Sequence, residues 1–219
     1  MSISPLFRPL VPASALIAGL SLVAIPGHAQ TFSNPTVITI NESGAASPYP
    51  SDIEVSGVAE LVGKVTVEIS GFGHEWPADV DILLVGPDGQ SVVLMSDAGG
   101  SVVTSDVSLV FDDDAADPLV ENVALVDGTY QPTNIAGTVT DPFVAPAPVL
   151  PSGTTLSIFA GTDPNGVWSL YVIDDGLEES GTIAGGWSIT VPEPASAGQG
   201  AALLALAALA VRRRTSARR

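Results

Sequence analysis

The chain has 219 residues, a formal net charge of −17, 22 glycines, 18 prolines and no cysteine. This length suits one ordinary domain with short additional segments, and the lack of cysteine excludes thiol catalysis and thiolate metal sites. Between Gln30 and Val191 the only lysine or arginine is Lys64, while every acidic residue except Glu193 lies in that span. A segment this acidic does not bind nucleic acid through charge.

Residues 1–29 have the pattern of a secretory signal peptide. Arg8 is their only charged residue, an apolar run follows it, and small residues precede Gln30. Such a segment forms a signal helix that signal peptidase removes on export. We therefore predict cleavage between Ala29 and Gln30. A retained membrane anchor is the alternative, and it is disfavoured because prolines bracket an apolar run too short to span comfortably.

Residues 30–51 are predicted to be a leader that includes a first strand, and residues 52–191 to form the main domain. Short runs of valine, isoleucine and threonine alternate there between turns rich in glycine and proline. This pattern is typical of an all-β fold, an antiparallel β-sandwich. Strands are predicted at 52–56, 61–69, 80–85, 91–95, 107–111, 120–126, 156–159, 167–173 and 185–191.

The stretch Asp79–Leu94 is the central element of this prediction and reads as strand, tight turn and strand. Val80, Ile82 and Leu84 share one face, and the opposite face also carries large apolar groups. The Gly-Pro-Asp-Gly sequence between the strands suits a tight turn, since proline fixes φ and glycine supplies positive φ. A strand that is apolar on both faces belongs inside a sandwich and not at a sheet edge.

Acidic residues gather where predicted strands begin or end. Hard cations such as calcium take several oxygen ligands, and strand-end loops of a sandwich can converge. No EF-hand spacing occurs, and the alternative is that these carboxylates cap turns and keep strand edges from aggregating. The candidate calcium ligands are Asp79, Asp81, Asp112, Asp114, Asp174 and Asp175.

The tryptophans and the single histidine of the mature chain bear on binding and catalysis. Trp168 and Trp187 occupy inward positions of alternating strands and are predicted to lie in the core, whereas Trp76 lies in a loop and is the candidate for stacking on a sugar. His74 is the only histidine left after signal removal, and we predict that it packs or forms a hydrogen bond within its loop. A nucleophile activated by histidine needs a free histidine as its base, and none remains apart from His74, so we predict that the chain is not an enzyme.

The last 28 residues combine a short motif, an apolar run of 17 residues and a basic end. Such a run forms an apolar helix of roughly 26 Å, a marginal span of a bilayer, and its arginines stay on the cytoplasmic side. The pattern resembles the PEP-CTERM sorting signal. That resemblance implies transient insertion in the inner membrane, processing by an exosortase-type enzyme, and a final place at the surface or outside a Gram-negative bacterium. An ordinary C-terminal anchor is the alternative. The residues of the pattern are Pro192, Glu193, Pro194, Arg212, Arg213 and Arg214.

Two further motifs lie far apart in the main domain. The first begins at His74 and runs through the Asp79 strand to its turn, and the second comprises the NGVWSL strand from Asn165 and the G-x-I-x3-W-S-I strand from Gly181. Together they resemble the P domain of proprotein convertases and its bacterial relatives over residues 52–191. The resemblance implies a jelly-roll sandwich of the galactose-binding type. In convertases this module supports the folding of a subtilisin-like protease domain, and no such domain is present here.

These observations favour a non-catalytic module that acts in adhesion or matrix association at the cell surface. A calcium-dependent module that binds extracellular polysaccharide is the second hypothesis, and it depends on Trp76 and the candidate calcium ligands. An accessory folding module for a separate subtilisin-like protease is the third. The hypotheses differ in partner, which is polysaccharide in one and protein in another.

Overall fold

The computed structural model describes residues 29–135, 143–149 and 151–192. Within them the chain forms two six-stranded sheets that pack face to face, so the predicted all-β sandwich is confirmed. The predicted signal helix and the predicted apolar helix of the tail lie outside the described residues. The strands are β1 (Ala29–Asn34), β2 (Ile38–Ile40), β3 (Gly44–Ala45), β4 (Ser51–Val55), β5 (Thr66–His74), β6 (Val80–Val85), β7 (Ser91–Ser96), β8 (Thr104–Phe111), β9 (Gly128–Tyr130), β10 (Thr133–Asn134), β11 (Gly166–Asp174) and β12 (Gly181–Pro192).

The first sheet has the order β1-β12-β5-β8-β9, and β2 also pairs with β12. The second sheet has the order β10-β7-β6-β11-β3, and β4 also pairs with β11. The long strands pair antiparallel, and the two short edge strands β9 and β10 pair parallel with their neighbours. Strands β1 to β3 come from the segment 30–51 and the residue before it, and they pair with β11 and β12, so this segment is joined to the sandwich.

The core lies between the sheets and follows the predicted alternation. Val80, Ile82 and Leu84 are fully buried there together with Trp168 and Trp187. Strand β6 lies between β7 and β11, as predicted for a strand that is apolar on both faces.

The outer face of β6 is covered by a second, smaller apolar cluster. Leu83 is buried there against Tyr171 and against Phe143 from the connection that follows β10. Tyr49 meets the ring of Tyr171 edge-on at 4.9 Å between centroids, and its hydroxyl donates to the Val144 carbonyl oxygen at 2.9 Å. The proline-rich connection therefore closes this face of the sheet and explains why β6 needs apolar side chains on both sides.

Two predicted strands are wrong. Leu156–Phe159 forms a 3-10 turn, because the Asp113 carboxylate accepts hydrogen bonds from the Leu156 and Ser157 amides at 2.8 and 2.7 Å. Residues 120–126 form turns and irregular chain instead of a strand. Their exposed valines recur every three residues, whereas a half-buried strand exposes every second residue. A three-residue strand, β9, follows them instead.

The sandwich has two distinct ends. At one end, Gly181 of β12 pairs with His74 of β5. At the other end, Pro192 pairs with Ala29, so both ends of the described domain emerge side by side. We call these the loop end and the tail end. None of the helices in the described residues is long and apolar enough to span a membrane.

Candidate functional site at the loop end

Four loops at the loop end are joined by backbone hydrogen bonds into one continuous surface. They are residues 75–79, 97–103, 120–127 and 175–180. The Asp175 amide donates to the Asp79 carbonyl oxygen at 2.9 Å, the Ala78 amide to Gly100 at 3.3 Å, and the Gly99 amide to Val120 at 3.0 Å. Each loop is thus joined to the next by a backbone hydrogen bond.

A buried pair, formed by a histidine and a carboxylate, supports these loops from below. His74 ends β5 and Asp174 ends β11, and His74 Nε2 lies 2.9 Å from Asp174 Oδ2 with both side chains essentially inaccessible to solvent. On its other side, His74 Nδ1 lies 2.9 Å from the Trp76 carbonyl oxygen and 3.2 Å from the Trp76 amide. Asp174 Oδ1 accepts from the Gly176 amide at 2.8 Å. The pair therefore holds the loops that follow both strands.

The structure confirms that His74 forms a hydrogen bond within its loop, whereas its pairing with Asp174 was not predicted. The signal for that pairing is that each residue is the last of an alternating apolar strand. Gly181 makes the pair possible, because a Cβ there would collide with the Gly73 carbonyl oxygen and the His74 ring. This contact is a physical reason for the glycine that begins the G-x-I-x3-W-S-I strand of the second sequence motif.

The loop end is rich in carboxylates, and among the described residues the basic side chain beside them is His74. Burial raises the pKa of Asp174, and the Gly176 amide and His74 oppose that shift. Burial also raises the pKa of Asp79, and the negative charges of Asp174, Asp175 and Glu179 raise it further. A cation that arrived here would relieve this mutual repulsion.

The six predicted metal ligands do not converge on one point. Asp79, Asp81, Asp174 and Asp175 belong to the loop end, and Asp81 and Asp174 are buried. The other two, Asp112 and Asp114, belong to the tail end, as the pairing of β5 with β8 shows. The seven-residue spacing along β5 separates the two groups by roughly 20–25 Å.

At the tail end a lysine already lies between the carboxylates. Lys64 Nζ is 2.7 Å from Asp112 Oδ1 and 2.6 Å from Asp114 Oδ2. The described residues hold no group of three or more histidine, cysteine, aspartate or glutamate side chains placed to bind a metal ion. Calcium binding stays a prediction of the sequence, tested by comparing thermal unfolding in millimolar calcium and in chelator.

The three tryptophans differ in the way that the sequence predicts. Trp168 and Trp187 are buried, and their Nε1 atoms donate to the Pro164 carbonyl oxygen at 2.9 Å and to Ser51 Oγ at 3.0 Å. Trp76 is 44% exposed on the loop end. An open cleft of about 710 Å³ lies beside this end, lined by residues 39–43 and 180–182.

The predicted sorting residues Glu193, Pro194, Arg212, Arg213 and Arg214 lie outside the described residues. Of that pattern, Pro192 is described, as the last residue of β12. Of the predicted cleavage site, Ala29 and Gln30 form the start of β1 and pair with Pro192 and Val191. The two places where processing is predicted are thus neighbours at the tail end.

Comparison with known proteins assigns no family to the chain. No protein-family model matches it, and no curated protein matches it. Among solved structures, it is similar to a chain in the crystal structure of the Aeromonas sobria serine protease in complex with its chaperone, with 13% sequence identity and a TM-score of 0.38. The match covers 78% of this chain and 27% of that chain, so this chain spans about a quarter of that protein's length. A likeness at this level assigns neither a fold family nor an activity.

Proposed function

We propose that the chain is an exported, non-catalytic β-sandwich module that binds a partner through its loop end, at the surface of a bacterial cell or in extracellular matrix. The observation that carries this proposal is that the two ends of the sandwich differ. Ala29 and Pro192 meet at one end, and exposed Trp76 and Leu177 lie at the other. Attachment and recognition are thereby separated.

The length of β12 sets the distance between these two functions. Its 12 residues run from Gly181 at the loop end to Pro192 at the tail end, and a strand of that length spans roughly 35–40 Å. In a protein that an exosortase-type system sorts through its tail, this strand would hold the loop end away from the membrane. The predicted address and the position of the loop end therefore support one another.

Two observations support a non-catalytic role. His74, which would be the base in a histidine-activated mechanism, is fully buried and held by Asp174 and Trp76. A general base must reach the proton that it abstracts. The second observation concerns the motif that resembles the P domain. In this chain, Asn165 of that motif binds the Val58 backbone through both its side-chain nitrogen and its side-chain oxygen, at 2.8 and 3.1 Å. The motif residues thus act in holding the sandwich together.

Binding of polysaccharide is a second candidate function, and the exposure of Trp76 favours it. An exposed indole is a stacking surface for a sugar ring, and the cleft beside the loop end presents Asn41, Ser43 and Thr182 as hydrogen-bonding groups. A glycan array probed with and without calcium, with Trp76→Ala as the control, separates this candidate from recognition of a protein. Association with a subtilisin-like protease is the remaining alternative, and co-purification of a protease would show it.

The proposed function is tested by expressing the full chain in a Gram-negative host that has an exosortase system. Intact masses are measured in the cell, surface-polymer and medium fractions. We expect a mature protein that begins at Gln30 and is found in the surface-polymer fraction. Retention of the uncut chain inside the cell would contradict the proposal.

A pair of variants tests the role of the loop end in the same experiment. Trp76→Ser with Leu177→Ser removes exposed apolar groups from the loop end, and Leu61→Ser with Val149→Ser removes groups of similar exposure elsewhere. We expect the first double variant to move into the medium and the second to stay with the polymer. An identical distribution of the two would contradict recognition through the loop end.

A further inference from the structure

We propose that the partner recognised by the loop end is a protein segment that is both basic and apolar. This inference depends on the proposed function and specifies the chemistry of its partner. It is carried by three features of the loop end, which are its exposed apolar side chains, its acidic groups and the hydrogen bonds that join its loops.

Apolar side chains are exposed on each of the four loops that make up the loop end. Solvent-exposed large apolar groups that gather in one area are typical of interaction surfaces, whereas scattered ones need no explanation. The loops that carry them are joined by backbone hydrogen bonds, which places these side chains at the same end of the sandwich. They are Trp76, Val102, Val103, Val120, Val123, Val126 and Leu177.

Acidic side chains lie among these apolar groups in the same loops. Lys64, the only lysine or arginine of the described residues, lies at the opposite end and is already bound to Asp112 and Asp114. A partner that buried the apolar groups without bringing positive charge would desolvate carboxylates with no compensation, which is costly. The acidic residues of these four loops are Glu75, Asp79, Asp97, Glu121, Asp127, Asp175, Glu178 and Glu179.

Hydrogen bonds and packing contacts hold the loops of the loop end together, so we expect binding to need little ordering of this protein. The pair formed by His74 and Asp174 fixes the start of two loops, and Leu125 packs beside Gly99 and Pro77 to fix the others. Surfaces that are ordered before binding lose less entropy on association. Acidic charge then increases the association rate of a basic partner and makes it dependent on salt.

The inference is tested with the mature protein recovered from culture and three fluorescent 18-residue peptides. One peptide consists of lysine and leucine, one of lysine and serine, and one of glutamate and leucine. We expect the lysine–leucine peptide to bind at least tenfold more tightly than either of the others, by fluorescence anisotropy. We expect its affinity to fall as salt rises from 0.05 to 0.5 M.

Matched charge variants locate the binding. Glu75→Gln with Glu179→Gln removes charge from the loop end, and Glu54→Gln with Glu60→Gln removes the same charge from β4 and the loop after it. We expect the first double variant to bind the lysine–leucine peptide about tenfold more weakly and the second to bind it as the parent does. Equal effects of the two double variants, or no binding of this peptide, would overturn the inference.

Other occupants of the loop end give different results. A fourth peptide, residues 195–219, carries the apolar run and arginines of this chain's own tail. Tighter binding of this peptide than of the lysine–leucine peptide would overturn the proposal of a separate partner in favour of the tail. Matrix association that is lost in the Trp76 and Leu177 double variant while no basic peptide binds would leave the proposed function standing and overturn this inference alone.

Discussion

Within the described residues, each end of the sandwich contains one basic side chain that is paired with aspartate. At the loop end, His74 and Asp174 are buried under the loops, and Asp174 is desolvated. At the tail end, Lys64 lies between Asp112 and Asp114 on the surface, where Asp114 is 81% exposed. The residue types are similar, yet the buried pair has to hold two loops in place while the exposed pair is screened by water.

The two pairs differ in burial far more than in distance. The distances are 2.9 Å at the loop end and 2.6–2.7 Å at the tail end. A surface pair contributes little to stability because solvent screens it. In a buried pair, the loss of one partner leaves the other uncompensated in a medium that solvates it poorly. We therefore expect the loop end to depend on its pair more than the tail end does.

The largest effect is expected for Asp174→Ala. This change leaves His74 Nε2 buried without its acceptor and removes the acceptor of the Gly176 amide. Loss of one member of a buried pair destabilises by about 3–5 kcal/mol, measured as the free energy of unfolding in urea. Asp174→Asn keeps an oxygen and an amide in place and should lose less. A loss of under about 1 kcal/mol for the alanine variant would show that the pair is dispensable.

A somewhat smaller loss is expected for Gly181→Ala. The added methyl group would meet the Gly73 carbonyl oxygen and the His74 ring, and overpacking of this kind costs about 1–3 kcal/mol. Gly73→Ala is the matched control on the neighbouring strand, because its Cβ would meet its nearest atom, the Thr104 carbonyl oxygen, at 3.4 Å. Chemical denaturation of both variants tests this. Equal losses would mean that crowding around His74 is not the cause.

At the tail end, Lys64→Met should cost about 1 kcal/mol or less. The lysine is bound to two carboxylates but is itself about a third exposed. The loss should shrink further in 0.5 M salt, because screening weakens exposed charges more than buried ones. Unfolding curves at low and high salt test this. A loss as large as that of Asp174→Ala would erase the contrast between the two ends.

The smallest effects should appear in the pH dependence, with opposite signs at the two ends. Asp79 has a raised pKa, so its contribution to stability is full below its unfolded pKa and is lost as pH rises through the folded pKa. Burial acts to raise the pKa of Asp112, but hydrogen bonds from Lys64 and the Asp114 amide hold it below its ordinary value. The contribution of Asp112 is therefore present above its unfolded pKa and lost as pH falls through the folded one.

Two isosteric variants expose this difference. Asp79→Asn should be more stable than the parent at pH 7, and Asp112→Asn should be less stable, each by under about 1 kcal/mol because both groups are partly solvated. The difference for Asp79 should vanish once pH is below its unfolded pKa, and the difference for Asp112 should vanish only as pH falls through its lowered folded pKa. Thermal unfolding between pH 3 and 8 measures them, and shifts of the same sign in the two variants would contradict the assignment.

Much of the fold could be predicted from the sequence because local alternation reflects burial. Val80, Ile82 and Leu84 follow a period of two, and they lie in the core beside Trp168. The 3-10 turn at Leu156–Phe159 could not be predicted in this way, because its amides are bound by an aspartate more than 40 residues earlier. Local pattern carries no information about such a distant partner.

The same reason limits the prediction of the site. The sequence places aspartates at strand ends, but the register of β5 against β8 and β12 decides which end of the sandwich each one occupies. The register thus places Asp112 and Asp174 at opposite ends, and Lys64 pairs with Asp112. The exposure of Trp76 could be predicted because the residue follows a strand and precedes a proline. Its neighbours on the other loops could not.

The pairing of Ala29 with Pro192 has a mechanical consequence. Hydrogen bonds in an antiparallel ladder run across the strands, so tension between the loop end and Pro192 pulls along β12 and loads its bonds to β5 in shear, all together. Tension between Ala29 and Pro192 instead unzips β1 from β12 one pair at a time. If the protein were attached through its tail and bound at its loop end, tension would act along β12, the direction in which these hydrogen bonds share the load.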